Sequence, residues 1–418
     1  MIKIGKPRIY TEKEKAYLAA SVTISDEAAL RFKERTEKLK NCLWRTNEDY
    51  PPQAWQNGGG NLFFEVDKKY ADCLCAEGSD AFVIAMLWYA VMTEEDISFE
   101  VPMSKRLHEG LTQVLLPALC SEEYRLIKLT GPLTCEKLEC KGAVGTGMTC
   151  GIDSFYTLRT HKLTHLAYYD SGHTAPVPCA NGGKLSVKDY YNATSEIADK
   201  NVAFHDEIAR QNGLEFLYIK TNIEKDFYRG GAIYKTMYDN LACTLAVQKL
   251  FKTYISSSSG HGGDLESGLA IPSQNYENLI CDCCKTETLD FISSDRAKRF
   301  EKIEKLADDS TVAEHLDVCF NYLCFNPGGK NCGECYGCLK TMVVLDLLGK
   351  LDNFEKSFDL EKYYADRRKY IKILYDGTLR PELASLRESW ADITEFANAH
   401  QCEAGEIIKE FNRRCYNG

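Results

Sequence analysis

The chain has 418 residues, a formal net charge of −10, 44% hydrophobic and 27% charged residues. That length exceeds one ordinary core and suits two or three domains, and the composition excludes a disordered chain. The acidic balance supplies no global field for a polyanion, so nucleic-acid binding is not expected. The opening MIKIGKPRIY carries no apolar stretch behind its lysines, and the longest apolar run, residues 81–92, is short of the about 20 residues that span a bilayer. A cytoplasmic protein with no membrane partner is expected, in which the 19 cysteines are thiols, metal ligands or small buried hydrophobes.

Residues 1–140 read as an α+β unit, a cap or dimerisation domain placed ahead of the main domain. Apolar alternation predicts strands over 17–24 and 61–66, with a proline- and glycine-rich loop at 50–60 between them, and the apolar run predicts a helix over 80–92. Ser104 is placed to cap a second helix whose Leu107, Leu111, Val114, Leu115 and Ala118 share a face, with Pro117 bending or ending it. From residue 141 to 348 short apolar runs each precede a longer helical pattern, the signature of a parallel α/β sheet. Strands are expected over 163–169, 214–220, 254–257 and 289–292, and helices over 196–212, 232–252 and 296–307. Residues 349–418 read as helical. There Tyr363, Tyr370 and Leu374 form a buried stripe that leaves Arg367, Arg368, Lys369 and Lys372 as a solvated basic face.

Two stretches carry chemistry. In Gly145-Thr146-Gly147-Met148-Thr149-Cys150-Gly151-Ile152-Asp153-Ser154, small residues precede a helical pattern, so backbone N–H groups and a helix N-terminus can converge on phosphate. No Gly-Lys-Ser/Thr follows, so this is not a mononucleotide P-loop, and on composition alone a structural turn serves equally well. Downstream, Ser256-Ser257-Ser258-Ser259-Gly260-His261-Gly262-Gly263-Asp264 leaves an expected strand, either as a ligand loop or as a flexible serine-glycine linker.

The other stretch is Cys332-Gly333-Glu334-Cys335-Tyr336-Gly337-Cys338. Its two-residue gaps let successive thiolates face one tetrahedral ion, and a closed four-sulfur zinc site is expected, with Cys319 or Cys324 as the fourth ligand and with an iron–sulfur cluster, then uncoordinated thiols, as the alternatives. Such a site holds structure and has no open position for chemistry. Cys281-Asp282-Cys283-Cys284 makes a weaker metal claim and reads either as a loop with incidental thiols or as a sulfur relay.

Thr149-Cys150-Gly151-Ile152-Asp153-Ser154 resembles the Ser-Gly-Gly-x-Asp-Ser turn of the PP-loop ATP pyrophosphatases, the adenine nucleotide α-hydrolase-like (HUP) group, with Thr for Ser and Cys150 for the first Gly. The resemblance covers about residues 142–348 and implies a HUP-type, Rossmann-like parallel sheet. It also implies that Thr149, Gly151 and Ser154 grip the pyrophosphate of ATP while Asp153 positions Mg2+ or the loop. The Ser259–Asp264 stretch is similar to the Gly-His loop of several such enzymes, which would bring Ser259, Gly260, His261 and Asp264 to phosphate, magnesium or substrate. The spacing Cys324-x7-Cys332-Gly-x-Cys335-x2-Cys338 resembles the zinc site of the cyano-deazaguanine synthases. Leu316-Asp317-Val318-Cys319 with Asn331-Cys332-Gly333 to Leu339-Lys340-Thr341 is similar to a wider PP-loop set in which Cys319 is the ligand.

The implied reaction is attack of a carboxylate or amide oxygen on the α-phosphate of ATP, release of pyrophosphate, and displacement of AMP from the adenylate by ammonia or a sulfur donor. The substrate would be a small or carrier-bound molecule. Sulfur transfer and a non-enzymatic, zinc-stabilised interaction module are the rival expectations, and the acidic charge disfavours a tRNA-thiolating enzyme.

Overall fold

The computed structural model describes residues 1–38, 57–120, 124–171, 187–228, 232–258, 276–295, 297–319, 329–378 and 384–416. The chain divides into two compact units, one of residues 1–147, 161–174 and 206–296, the other of 148–160, 175–205 and 297–418.

The first unit carries an 11-stranded mixed sheet in the order β13-β12-β9-β10-β11-β4-β3-β1-β5-β7, with β2 also paired to β3. Its strands are β1 (Ile2–Ile4), β2 (Arg8–Glu12), β3 (Lys15–Thr23), β4 (Gly59–Asp67), β5 (Ile97–Phe99), β7 (Leu129–Thr130), β9 (Ala143–Gly147), β10 (His165–Asp170), β11 (Glu215–Thr221), β12 (Phe251–Ser256) and β13 (Asp290–Ser293). The pair β6 (Met103–Ser104) and β8 (Leu133–Thr134) lies apart.

From β11 through β10, β9 and β12 to β13 every neighbour is parallel. Taken in sequence, that order is third, second, first, fourth, fifth. The sheet therefore reverses its direction of growth between β9 and β12, and open α/β sheets bind ligands at the carboxyl ends of the strands flanking such a switch. The arrangement is a mixed α/β fold with a large, mainly parallel sheet, compatible with a Rossmann-like fold. β4 and β3 extend it in antiparallel fashion.

Gly145 lets β9 lie against β12, because a Cβ there would stand 2.4 Å from the Phe251 ring. The helix α2 (Asp80–Thr93) is buried at every residue, as its unbroken apolar run demands. It packs against α1 (Asp26–Lys38) and α7 (Ala232–Ala246), with β1 and β5 alongside.

Ser104 does cap its helix, its Oγ accepting the Leu107 N–H at 3.0 Å. The helix runs through α3 (Lys105–Gly110), a π turn at Leu111–Leu115 and α4 (Leu116–Leu119). The wider π turn rotates the face: Leu107, Leu111 and Leu115 are buried, while Val114 is 48% exposed. The helix expected over 232–252 stops at Ala246. A tight turn closed by the Leu250 N–H on the Val247 carbonyl at 2.8 Å follows, and Phe251 opens β12.

The second unit is helical among its described residues. It holds α5 (Ile152–Thr160), the first part of α6 (Val187–Gln211), α9 (Arg299–Leu306), α10 (Ser310–His315), α11 (Tyr336–Leu347), α12 (Leu360–Thr378), α13 (Ala384–Ala399) and α14 (Glu403–Tyr416). On α12, Tyr363, Tyr370 and Leu374 are buried as expected. The basic face is neutralised in place: Arg367 pairs with Asp346 at 2.9 Å and with Glu403, Arg368 with Glu410 at 2.7 Å, Lys369 with Asp366 at 2.9 Å, and Lys372 with Asp376. Among the described residues no helix is long and apolar enough to cross a membrane.

Candidate functional site

β9 ends at Gly147 and α5 begins at Ile152, so the turn foreseen from the glycines leaves the first strand of the parallel set, beside the switch point. At that switch the strand ends carry hydroxyls. The Thr146 Oγ1 donates to the Ile255 carbonyl at 2.7 Å and lies 3.2 Å from the Ser257 Oγ, and the Ser258 N–H donates to the Ser294 Oγ at 2.9 Å. Ser259, Gly260, His261 and Asp264 lie outside the described residues.

Within the turn, Cys150 adopts a left-handed backbone (φ 58°) that ordinarily favours glycine. Its side chain is buried, and burial, with the charge of Asp317, pushes the thiol well above its usual range. Cys150 is therefore a neutral thiol at pH 7 that shapes the turn. Thr149 is exposed, and its Oγ1 accepts the Gly151 N–H at 3.4 Å. The buried Ser154 donates from Oγ to the Gly151 carbonyl at 3.0 Å. The first helical bond of α5 runs from the Phe155 N–H to the Gly151 carbonyl at 3.1 Å, so the N–H groups of Ile152, Asp153 and Ser154 have no intrahelical acceptor.

Cations from distant sequence surround Asp153. Arg299 contacts its Oδ2 at 2.6 Å and the fully buried Lys302 its Oδ1 at 3.1 Å, both from α9, which packs on α5. Lys340, on α11, makes no ion pair with a described residue. Burial and the nearby Arg299 charge hold its ammonium down to about 8, partly offset by Asp153 and Cys335. Two cations thus hold one carboxylate at a helix N-terminus, an arrangement suited to a polyanion. No spacing rule joins residues so far apart; sequence reasoning missed Arg299 and Lys302 and met Lys340 only as part of the Leu339-Lys340-Thr341 stretch, with no role for it.

The sulfurs of Cys319, Cys332, Cys335 and Cys338 lie within 4.8 Å of one another and could hold a metal ion such as zinc. Cys319 is thus the fourth thiol here, and Cys324 lies outside the described residues. Gly333 (φ 71°) permits the tight turn between Cys332 and Cys335, whose backbone points inward: the N–H groups of Glu334 and Cys335 each lie 3.4 Å from the Cys332 Sγ. Cys335 caps α11 and Cys338 sits in its first turn, so helix-dipole charge favours thiolate there. Hydrogen bonding to Cys335 pushes Cys319 up to about 12, and bonding to Cys319 and Cys335 pushes Cys338 up as well. Thiols packed this closely are suited to sharing one cation.

Asn331 sets the register between the two ligand segments. Its Oδ1 accepts the Val318 N–H at 2.9 Å, and its Nδ2 donates to the carbonyls of Leu316 at 2.8 Å and Ser357 at 3.0 Å. Asp317 then links thiols and turn: its carboxylate accepts the Cys319 N–H at 3.1 Å, while its own N–H donates to the Cys150 carbonyl at 2.8 Å. The thiol cluster is therefore joined through Asp317 to the αL residue of the turn.

Cys281, Cys283 and Cys284 are all buried, in or just after α8 (Glu277–Cys283). Burial pushes each thiol up, the environment of structural cysteines. Comparison with protein-family models, with curated proteins and with solved structures returns no match for this chain.

Proposed function

We propose that the chain is an ATP pyrophosphatase-type synthetase that adenylates a carboxylate or amide oxygen, releases pyrophosphate, and lets a nucleophile displace AMP. The observation that carries this reading is the turn Met148–Ser154. It leaves the first strand of a parallel run of the sheet at its switch point, opens α5, and has Arg299 and Lys302 paired to Asp153. The free N–H groups of Ile152, Asp153 and Ser154, with the Thr149 hydroxyl, would hold pyrophosphate oxygens, and the cations would stabilise the charge that develops as pyrophosphate departs. Both carboxylate oxygens of Asp153 are taken by cations, so its part is to organise the turn, and it does not fit as a direct magnesium ligand. Mg2+ would arrive on the phosphates, where it neutralises charge.

Zinc suits the thiol site. A tetrahedral ion with Zn–S near 2.3 Å spaces its sulfurs about 3.8 Å apart, and Cys332 to Cys338 is 3.8 Å and Cys335 to Cys338 3.4 Å. With four thiolates the site is closed and structural. The buried, protonated state of Cys150, Cys281, Cys283 and Cys284 favours a nitrogen nucleophile over a persulfide relay. The αL cysteine at position 150 is what favours the second reading, a zinc-stabilised module without catalysis.

Screening carboxylic acids and amides with Mg-ATP and an ammonia source separates these. AMP and pyrophosphate should appear in equal amounts with a true substrate, and oxygen label on the attacking group should end in AMP. Arg299→Ala should lower kcat/KM by about 10²–10³-fold, the scale of a lost charge stabiliser. ADP and orthophosphate as products would overturn the reading, and absence of nucleotide binding would leave the module.

A further inference from the structure

The strands β1 and β2 form one edge of β3. Ile4 stands opposite Val22 and Arg8 opposite Ala19, so four residues advance on one side against three on the other, a bulge that ends the β1 pairing and starts β2. β5 covers the outer edge of β1 only, at Ile2–Ile4. The outer edge of β2 has no strand against it among the described residues, and all five of its residues are exposed, Ile9 at 40% and Tyr10 at 42%.

The hydrogen-bonding direction along that edge follows from the hairpin. Glu12 and Lys15 close a two-residue loop and so exchange bonds, as then do the alternate pairs Tyr10 with Tyr17 and Arg8 with Ala19. The same alternation is visible one strand further on, where the Phe63 N–H, opposite Ala19, turns away from β3 and donates to the Asn222 Oδ1 at 2.9 Å. The N–H and C=O groups of Ile9 and Thr11 therefore face the open edge.

We propose that this edge pairs with the β2 edge of a second copy of the chain, antiparallel and centred on Tyr10. That centre pairs Ile9 with the second copy's Thr11 as bond-exchanging partners and gives four backbone hydrogen bonds. It also sets Arg8 opposite the second copy's Glu12 at both ends, in positions whose side chains approach closely. Neither Arg8 nor Glu12 has an ion-pair partner among the described residues. Tyr10 stacks on Tyr17 at 5.0 Å between centroids, so two stacked tyrosine pairs would meet at the two-fold axis. Centring on Ile9 or Thr11 loses the charge match, which makes Tyr10 the register the sequence selects.

Sedimentation velocity over a concentration series tests this on the full chain. Wild type should dimerise. Arg8→Glu and Glu12→Arg should each weaken dimerisation about tenfold, because two attractive pairs become repulsive. The two single variants mixed together should form a heterodimer, since each then offers the charge the other lacks, and the double variant should dimerise like wild type. Ile9→Pro removes an outward N–H without touching the β3 ladder and should leave a folded monomer, judged by an unchanged melting curve. A monomeric wild type, or single variants that dimerise alone as well as wild type does, would overturn the proposal.

Discussion

Lys235, in the first unit, is a fully buried and heavily compensated charge, 2.9 Å from Glu224 and 2.5 Å from Asp239, with the Tyr228 ring 4.4 Å beneath it. Removing it leaves two carboxylates buried without their cation. Lys235→Met should therefore cost about 3–5 kcal/mol of unfolding free energy, measured by denaturant titration at pH 7. His205 lies in the second unit. Its ring is buried, with Nδ1 2.6 Å from the Asn201 carbonyl oxygen, and burial holds the imidazole down to about 4. The unfolded chain binds this proton below about pH 6.5 while the folded chain does not until about 4, so stability falls as pH drops through that window and is untouched above it. His205→Leu should flatten the decline between pH 6.5 and 4.5 in thermal melts; an unchanged slope would remove His205 from the acid response.

At the scale of elements, β9 and β12 touch through Gly145 and Phe251, and this contact holds the switch point closed. Gly145→Ala should destabilise by about 1–3 kcal/mol through overpacking, and Phe251→Leu in the same chain should recover part of the loss, as a double-mutant cycle would read. The elements differ in how far they could be read from residues. β10 and β11 fall within two residues of the runs at 163–169 and 214–220, because each is an apolar segment bounded by polar turns. The helix at 232–252 overran because Val247 to Phe251 is as apolar as the helix before it, and only the Val247–Leu250 turn separates the two. The π turn at Leu111–Leu115 leaves no mark in periodicity, and strands of two or three residues such as β1 and β5 to β8 are shorter than any alternation can report.

For the whole molecule, the thiol cluster and the turn were legible as separate local patterns. What joins them was not: Asp317, Asn331 and the cations of α9 act through pairings that only the folded chain creates. That linkage makes a prediction about metal removal. Stripping the ion with a strong chelator should raise amide hydrogen exchange at the start of α11 and across Met148–Thr160, which Asp317 tethers, while β10 and β11 keep their protection. Equal loss of protection in both regions would mean that the ion supports the entire fold, and none in the turn would mean that Asp317 does not transmit its effect.

The turn is made early and supported late. Asp153 lies 146 residues ahead of Arg299, a gap that a ribosome working at about 5–20 residues per second takes roughly 7–30 s to cross. The thiols follow later still. During synthesis the turn therefore waits, without its counter-charges or its Asp317 tether, and the left-handed backbone at Cys150 goes without that tether until the last third of the chain has emerged. On the proposed reading, ribosome-bound chains halted before residue 299 should accordingly bind no nucleotide.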